Sequence, residues 1–375
     1  MKKIAIVGSN PNFLGGITNY INNFVNRLDK NKFEVTWFYV GEINKNYKKY
    51  GINFVEIKTT KKLFFQDLDF NIKIKKRLEK EKFDVINSHA IWGHWMKNFK
   101  NLNNSLLVHT YHGVSYYFYK NHSQKNKIKR ILLQPLLFLS YFMEKPPIYQ
   151  AKRIICVSEK VKRDIEKLYL KRKEVYTLRT GADTKKFKPR DKNICKKLLK
   201  LSNKNIYGLY VGRGGYWTKG LDRVINLSEE MYKINKKYRL IIGGAEQNKV
   251  KKLLNKPFII YKPIISRKEM PFYYNSSDFF FCLSRYEGGA PTLVTGEAMA
   301  SGCLVVCSKD SEQEVIMDRK NGVVIDCEKK DFSSDARRIL SISKTQKKEI
   351  VKNGLKTIKE LSRVWWKKYA QCLGI

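Results

Sequence analysis

The chain has 375 residues, which is long for one hydrophobic core and favours two domains of roughly 150–200 residues each. With 43% hydrophobic and 13% aromatic residues it can fill such cores, which excludes intrinsic disorder in spite of a formal net charge of +41. The seven cysteines are an odd number without CxxC spacing, a pattern typical of reduced, buried thiols and not of a disulfide framework.

The first half of the chain alternates short apolar or aromatic runs with longer amphipathic stretches. The opening KIAIVG predicts a first strand, because its apolar run breaks too early for a signal peptide, and the helix ITNYINNFVNRL follows. Further strands are predicted at FEVTWFYV, DVINSH, LLVHTYHG, RIICVS and VYTLRTG. The run ILLQPLLFLSYFM, from Ile131 to Met143, contains Pro135 and is too short and interrupted to cross a bilayer.

The same alternation starts again after Phe187. Strand-like runs IYGLYVG, YRLIIGG, FIIYK, DFFFCLS, LVVCS and GVVIDC alternate with helical stretches such as LDRVINLSEEMYKIN and LVTGEAMASG. This rhythm predicts an α/β protein with two Rossmann-like, doubly wound domains, each a parallel sheet covered by helices on both faces. We expect the domains to span residues 1–188 and 189–355, with a ligand cleft between them.

The C-terminal stretch ELSRVWWKKYAQCL predicts a helix with an aromatic side. Trp365, Trp366 and Tyr369 lie on or near one broad face, and an exposed aromatic face of this size requires a cover. We therefore expect residues 356–375 to form a helix that returns to the N-terminal domain.

The high positive charge has two explanations. Either every solvated face is basic because the genome is rich in lysine and asparagine codons, or the chain meets an anionic partner such as lipid, nucleotide or nucleic acid. The segment from Lys120 to Lys173 contains fifteen Lys and Arg but four acidic residues, and its basic residues lie on both sides of the Ile131–Met143 run. That clustering favours peripheral contact with an anionic membrane, while the absence of RNP, KH or zinc-finger patterns disfavours nucleic acid. The expected location is the cytoplasm or the inner face of the cell membrane.

Candidate binding residues follow predicted strands, where open parallel sheets bind ligands. Gly15 and Gly16 precede the first helix and either let a ligand approach the backbone or form a plain turn. Arg213 and Lys219 surround a Gly-rich turn in VGRGGYWTKG and form either a diphosphate site or a solvated basic loop.

The stretch RYEGGAPTLVTGEAMASG carries two acidic residues around a predicted helix start. Glu287 and Glu297 can bind the vicinal hydroxyls of a ribose and of a sugar, or else cap neighbouring backbone. The turn of Gly288, Gly289 and Thr292 can present unpaired amides to a ligand.

Two histidines lie in VHTYHGVS, which we take as the fifth strand of the first domain and the turn after it. His112 at the strand end is a candidate for catalysis, whereas His109 inside the strand is expected to be a core residue. Cys303 and Cys307 lack a nearby His or third Cys, so no metal site is predicted.

The order of these motifs resembles the retaining, GT-B-type nucleotide-sugar glycosyltransferases of family 4. The resemblance runs through GGITNY, VHTYHG, RIICVSEKVKRDI, TGADTKKFKP, VGRGGYWTKGLD, MPFYYNSSDFFFCLSRYEGG and GEAMASGCLVV, and covers almost the full length. It implies transfer of a sugar from a nucleoside-diphosphate sugar to a glycan or lipid-linked acceptor, with retained anomeric configuration and without a metal or other cofactor.

The resemblance also implies a role for each candidate residue. Gly16 would line the diphosphate and acceptor side, and Arg213 with Lys219 would hold the diphosphate. Glu297 would accept the ribose hydroxyls, while Glu287 and His112 would face the donor sugar. The family usually has seven residues between its two glutamates, but nine separate Glu287 from Glu297, so this loop is two residues longer.

Other functions remain open on the sequence. A sugar phosphorylase or a nucleotide-sugar epimerase can use the same scaffold, and an inactive partner subunit would fit the lengthened glutamate loop. A basic nucleic-acid-binding protein is the alternative from another class.

Overall fold

The computed structural model describes the chain except for residues 14, 60–62, 101–103, 124–130, 132–133, 170–173, 213–215, 245–252, 254 and 330. The chain divides into two compact units. The N-terminal unit comprises Met1–Arg179 and Trp365–Ile375, and the C-terminal unit comprises Thr180–Val364.

In the described part of the N-terminal unit, eight strands form one sheet in the order β3-β4-β2-β1-β5-β6-β7-β8. All neighbours pair in parallel except β3, which runs antiparallel to β4. The strands are β1 Lys2–Gly8, β2 Phe33–Gly41, β3 Lys45–Lys49, β4 Ile52–Lys58, β5 Val85–His89, β6 Leu106–Tyr111, β7 Arg153–Cys156 and β8 Val175–Thr177.

Helices join these strands. They are α1 Gly16–Val25, α2 Leu63–Lys80, α3 Ser115–Ser123, α4 Gln134–Glu144, α5 Pro146–Gln150 and α6 Glu159–Leu168, with a 3₁₀ segment at Ala90–Met96. Helix α6 shows how the sequence sets a boundary, because the Ser158 side chain accepts a hydrogen bond from the Val161 amide and caps the first turn.

In the described part of the C-terminal unit, six strands form a parallel sheet in the order β11-β10-β9-β12-β13-β14. The strands are β9 Ile206–Val211, β10 Tyr238–Gly243, β11 Ile259–Lys262, β12 Phe279–Cys282, β13 Leu304–Ser308 and β14 Val323–Ile325. The helices are α7 Lys192–Leu198, α8 Leu221–Ile234, α9 Met270–Ser276, α10 Leu293–Ala300, α11 Ser333–Leu340 and α12 Lys344–Cys372, with a 3₁₀ segment at Lys309–Ser311.

Each sheet has one point where the strand order reverses. In the N-terminal unit the chain leaves β1 on one side and returns to its other side at β5. In the C-terminal unit the same reversal separates β9 from β12. Open α/β sheets bind ligands outside the carboxyl ends of the strands at these switch points.

The two parallel α/β units confirm the predicted fold class. The end of α12, Trp365–Ile375, belongs to the N-terminal unit, where Trp365 and Tyr369 are buried against Tyr20. The seven cysteines are all buried and unbridged. None of the helices in the described part of the chain combines the length and apolarity needed to cross a bilayer.

Candidate functional site

Lys219 and Glu287 lie in the loops after β9 and β12, on either side of the switch point in the C-terminal unit. Lys219 Nζ is 2.9 Å from Glu287 Oε1 and 2.8 Å from Oε2, and the Ser284 hydroxyl donates to Oε1 at 2.6 Å. Burial disfavours the Lys219 ammonium, but the Glu287 carboxylate outweighs that effect and raises the pKa of Lys219. Lys219 therefore stays a cation at neutral pH and contacts the Glu287 side chain.

The same two loops are braced against each other. The Arg285 guanidinium donates to both oxygens of Asp222, at 2.8 and 2.7 Å, and lies 3.2 Å from the centroid of the Trp217 ring. Gly220 has φ +67°, and a Cβ there would lie 1.9 Å from the Leu283 carbonyl oxygen. Only glycine allows the loop after β9 to approach the end of β12 this closely. This close approach of the two backbones brings Lys219 and Glu287 within contact distance.

Glu297 is buried in helix α10 with only 1% of its surface exposed. Arg267 Nη1 forms an ion pair with Glu297 Oε1 at 2.5 Å, and the Tyr274 hydroxyl donates to Oε2 at 3.1 Å. Burial raises the pKa of Glu297, and these two partners offset part of the effect. The Arg267 guanidinium also lies 4.8 Å from the centroid of the Phe187 ring, which restricts its position.

The turn between the two glutamates leads directly into α10. The Thr292 hydroxyl accepts a hydrogen bond from the Thr295 amide and caps the helix, and the Thr292 amide donates to Gln313 Oε1 at 2.9 Å. Gln313 Nε2 also donates to the Gly289 carbonyl oxygen at 3.4 Å. The expectation that the Thr292 amide is unpaired is wrong, because this amide already donates its hydrogen bond to the Gln313 side chain.

His112 forms a pair with a second histidine in the N-terminal unit. His112 Nε2 lies 2.9 Å from Nδ1 of His89, and the Tyr20 ring packs edge-on against the His112 ring at 4.7 Å between centroids. Burial lowers the pKa of His112 to about 3. Burial, together with the neighbouring His112 and His109, lowers the pKa of His89 well below its ordinary value. Both rings are therefore neutral at physiological pH.

The surroundings of the predicted histidine differ in part from the expectation. His112 follows β6, the sixth strand along the chain, and not a fifth strand, because neither β3 Lys45–Lys49 nor β4 Ile52–Lys58 was among the predicted strands. His109 is fully buried and its Nδ1 lies 2.7 Å from the Ser88 hydroxyl oxygen, as expected for a core residue. The buried Glu144 binds the amide and hydroxyl of Ser115 at the start of α3, and burial raises the pKa of Glu144 to about 7.

Gly16 opens helix α1 after the first strand, at the switch point of the N-terminal unit. A Cβ built on Gly16 would meet no atom of the described residues within 4 Å, apart from its chain neighbours and the backbone of its own helix, so the space beside it is open among them. Within the described residues, no three His, Cys, Asp or Glu side chains are grouped closely enough to hold a metal ion.

Comparison with protein-family models matches both halves of the chain. Residues 14–186 match the model described as Glycosyltransferase Family 4, and residues 191–357 match Glycosyl transferases group 1. Together the two models cover most of the sequence. The chain belongs to the family 4, group 1 glycosyltransferases.

Solved structures with the same fold include other glycosyltransferases. A sucrose-phosphate synthase from Thermosynechococcus elongatus superimposes with a TM-score of 0.82 at 18% identity, over 99% of this chain and 98% of the other. WaaG, a glycosyltransferase involved in lipopolysaccharide biosynthesis, gives 0.77 at 15% identity over 99% of each chain. Anabaena HepE in complex with UDP-glucose gives 0.68 at 14% identity, over 99% of this chain and 100% of the other. Among curated protein sequences, none matches this chain.

In this glycosyltransferase the structure brings together some of the predicted site residues. Lys219 and Glu287 are in direct contact, and Gly288, Gly289 and Thr292 lead from Glu287 into the helix that carries Glu297. Arg213 lies outside the described residues, so its predicted place beside Lys219 stays a prediction.

Two polar residues of this glycosyltransferase were missed by the sequence reasoning. Arg267 contacts Glu297 from the segment before α9, and His89 ends β5 beside His112. His89 ends a predicted strand, which is the same signal that singled out His112. Arg267 carries no comparable signal, because the sequence does not show which basic residue reaches a buried carboxylate.

Proposed function

We propose that the chain transfers a sugar from a nucleoside-diphosphate sugar to a glycan or lipid-linked acceptor, with retention of anomeric configuration and without a bound metal ion. The observation that carries the proposal is the Lys219–Glu287 ion pair at the switch point of the C-terminal sheet, where such sheets bind nucleotides. The family match supports it, as does the likeness to HepE, whose structure was solved with UDP-glucose.

Lys219 is suited to stabilise the leaving group. When the bond between the anomeric carbon and the diphosphate oxygen breaks, negative charge develops on the nucleoside diphosphate. The ammonium of Lys219 has three hydrogens, so it can keep its contact with Glu287 and still donate to a diphosphate oxygen. We propose that Arg213 adds a guanidinium to the same diphosphate.

The two glutamates are proposed to bind the hydroxyl groups of the donor. A carboxylate offers about four lone-pair positions, so Glu297 can keep Arg267 and Tyr274 and still accept from ribose hydroxyls. Glu287 would contact the transferred sugar, as the family resemblance implies, and the resemblance makes His112 a sugar-binding residue of the N-terminal unit.

We propose a same-face displacement through an oxocarbenium-like state and not a double displacement. Lys219 and Arg213 would then stabilise the departing diphosphate without a protein nucleophile. Trapping a covalent glycosyl–enzyme on an Asp or Glu side chain would contradict this choice.

Product analysis tests the transfer reaction. The full chain is incubated with each sugar nucleotide, with and without a membrane extract that supplies acceptors, and the products are followed by NMR. Release of nucleoside diphosphate with the sugar joined to extract material, in the presence of a chelator, is the expected result. Free sugar phosphate would indicate a phosphorylase, and an isomerised sugar nucleotide without extract would indicate an epimerase.

Lys219→Met is expected to weaken binding of the sugar nucleotide by about 10- to 100-fold. A hydrogen bond to a charged group contributes about 1.5–3 kcal/mol, and the unpaired Glu287 carboxylate would in addition repel the diphosphate. Calorimetric titration measures the effect. Lys256→Met, which removes a lysine paired with Glu229 at 2.6 Å in the same unit, is the control. Equal affinity of Lys219→Met and wild type would remove Lys219 from the donor site.

We also propose that the N-terminal unit contacts an anionic membrane through helix α4. Leu137 and Met143 of α4 are buried, whereas Phe138 and Phe142 are 67% and 45% exposed and pack against each other at 4.5 Å between ring centroids. This exposed aromatic pair lies within the basic segment Lys120–Lys173, part of which is outside the described residues. Basic side chains near an anionic leaflet contribute about 1 kcal/mol each.

Vesicle flotation at low salt tests the membrane proposal. The chain should float with vesicles that contain anionic lipid and less so as salt screens the charges. The double variant Phe138→Ser, Phe142→Ser should stay in solution, while Ile264→Ser, which changes another exposed apolar residue, should behave as wild type. Absence of flotation by the wild type, or equal flotation by the double variant, would end the idea.

A further inference from the structure

A buried series of polar groups connects the end of helix α12 with His112. It consists of Tyr369, Asn87, His89 and His112, and the first three have no exposed surface. All four belong to the N-terminal unit. Because each group has a fixed number of hydrogens to donate, the contacts decide where each hydrogen lies.

The side-chain amide of Asn87 fixes the direction of the first hydrogen bond in the series. Asn87 Nδ2 lies 3.3 Å from the Val108 carbonyl oxygen, which only accepts, and 3.1 Å from the Thr110 hydroxyl oxygen. The NH₂ group must therefore face Val108, and Asn87 Oδ1 faces the Tyr369 hydroxyl and accepts its hydrogen. Since Tyr369 has only one hydroxyl hydrogen, its oxygen presents only lone pairs to other neighbours.

His89 is the next group in the series. Its Nε2 lies 3.5 Å from the Tyr369 oxygen, so an unprotonated Nε2 would place two lone pairs against each other. The favoured tautomer of neutral His89 thus carries its hydrogen on Nε2 and leaves Nδ1 as an acceptor. Nδ1 lies 2.9 Å from His112 Nε2, and this contact requires a hydrogen that only His112 can supply.

We infer that Tyr369 and His89 hold His112 as the Nε2–H tautomer, so that His112 presents an acceptor nitrogen, Nδ1, to a ligand group that donates a hydrogen bond, such as a sugar hydroxyl. Tyr369 and His89 are then positioning residues, which act through His112. The Tyr20 ring, edge-on to His112, holds the plane of the imidazole. The tautomer follows from the protein alone, whereas the hydroxyl as ligand rests on the proposed function.

NMR of the full chain labelled with ¹⁵N-histidine tests the tautomer directly. The ring-nitrogen signals of the five histidines report which nitrogen carries a hydrogen, and His89→Gln and His112→Gln assign the relevant two. At neutral pH and without ligand we expect His112 to be protonated at Nε2 and unprotonated at Nδ1. A hydrogen on His112 Nδ1 would overturn the inference.

Tyr369→Phe tests the origin of that preference. Loss of the hydroxyl leaves His89 Nε2–H without its acceptor, so the His112 signals should shift toward the opposite tautomer. Tyr20→Phe is the matched control, because it removes a buried hydroxyl from the same cluster that takes no part in the series. Wild-type signals in Tyr369→Phe would remove Tyr369 from the role.

Addition of sugar nucleotide tests the ligand part. Binding of UDP-, GDP-, ADP- or dTDP-sugar should shift the His112 Nδ1 signal and leave Nε2 protonated. Donor binding without any change at Nδ1 would overturn the acceptor role. Absence of binding by all four would instead contradict the proposed function. The inferred tautomer would still be tested independently by the spectrum of the chain without ligand.

Discussion

Glu297→Gln is expected to weaken binding of the sugar nucleotide and lower its turnover by about 10- to 100-fold, in a chain that remains folded. Glutamine keeps the size of the side chain but removes the negative charge that would accept the ribose hydroxyls. Hydrogen bonds to charged groups contribute about 1.5–3 kcal/mol each, which corresponds to this range. Calorimetry measures the binding, and circular dichroism checks the fold.

The control for this prediction is Glu328→Gln, which makes the same change at an exposed position of the C-terminal unit. It should bind and turn over the donor as the wild type does. If Glu297→Gln retained wild-type affinity and turnover, Glu297 would be a structural partner of Arg267 and Tyr274 and not a donor-binding residue.

Arg267→Met is expected to lower the free energy of unfolding by about 3–5 kcal/mol at neutral pH, because it leaves the Glu297 carboxylate buried without its cation. The cost should be smaller at pH 5. Burial raises the pKa of Glu297 in the folded state, so the folded chain binds a proton there before the unfolded chain does, and acid favours folding of the variant.

Denaturant unfolding at both pH values measures this effect. The control is Arg338→Met, whose partner Asp318 lies at the surface, with 44% of its side chain exposed. Exposed ion pairs contribute about 0–1 kcal/mol, so the control should lose little. Equal losses in both variants would show that Arg267 does not stabilise a buried charge.

The parallel sheets were predictable because their strands read as short apolar runs separated by helical stretches. Buried strands such as FFFC in β12 and LVVCS in β13 carry that signal without ambiguity. Strands β3 and β4 were both missed. KNYKK of β3 is mostly exposed and lysine-rich, and its pairing with β4 depends on the fold around it.

The site residues that lie in loops directly after strands could be predicted from the sequence. Lys219 and Glu287 lie in loops after β9 and β12, and the sheet order that makes these strands neighbours brings the two side chains into contact. The Arg267–Glu297 pair needs a tertiary contact that no spacing reveals. The tautomer that we infer for His112 likewise depends on Tyr369, more than 250 residues further along the chain.

The measurement that tests the central claim most directly is a thermal-shift screen of the full chain against UDP-, GDP-, ADP- and dTDP-sugars in buffer with a chelator. A ligand that binds only the folded state at 100 times its Kd stabilises that state by about 2.7 kcal/mol. We expect at least one donor to raise Tm without a divalent ion. If none of the four raised Tm, with or without Mg²⁺, the C-terminal unit would not be a nucleotide-sugar site, and a rise that required Mg²⁺ would contradict metal-independent binding.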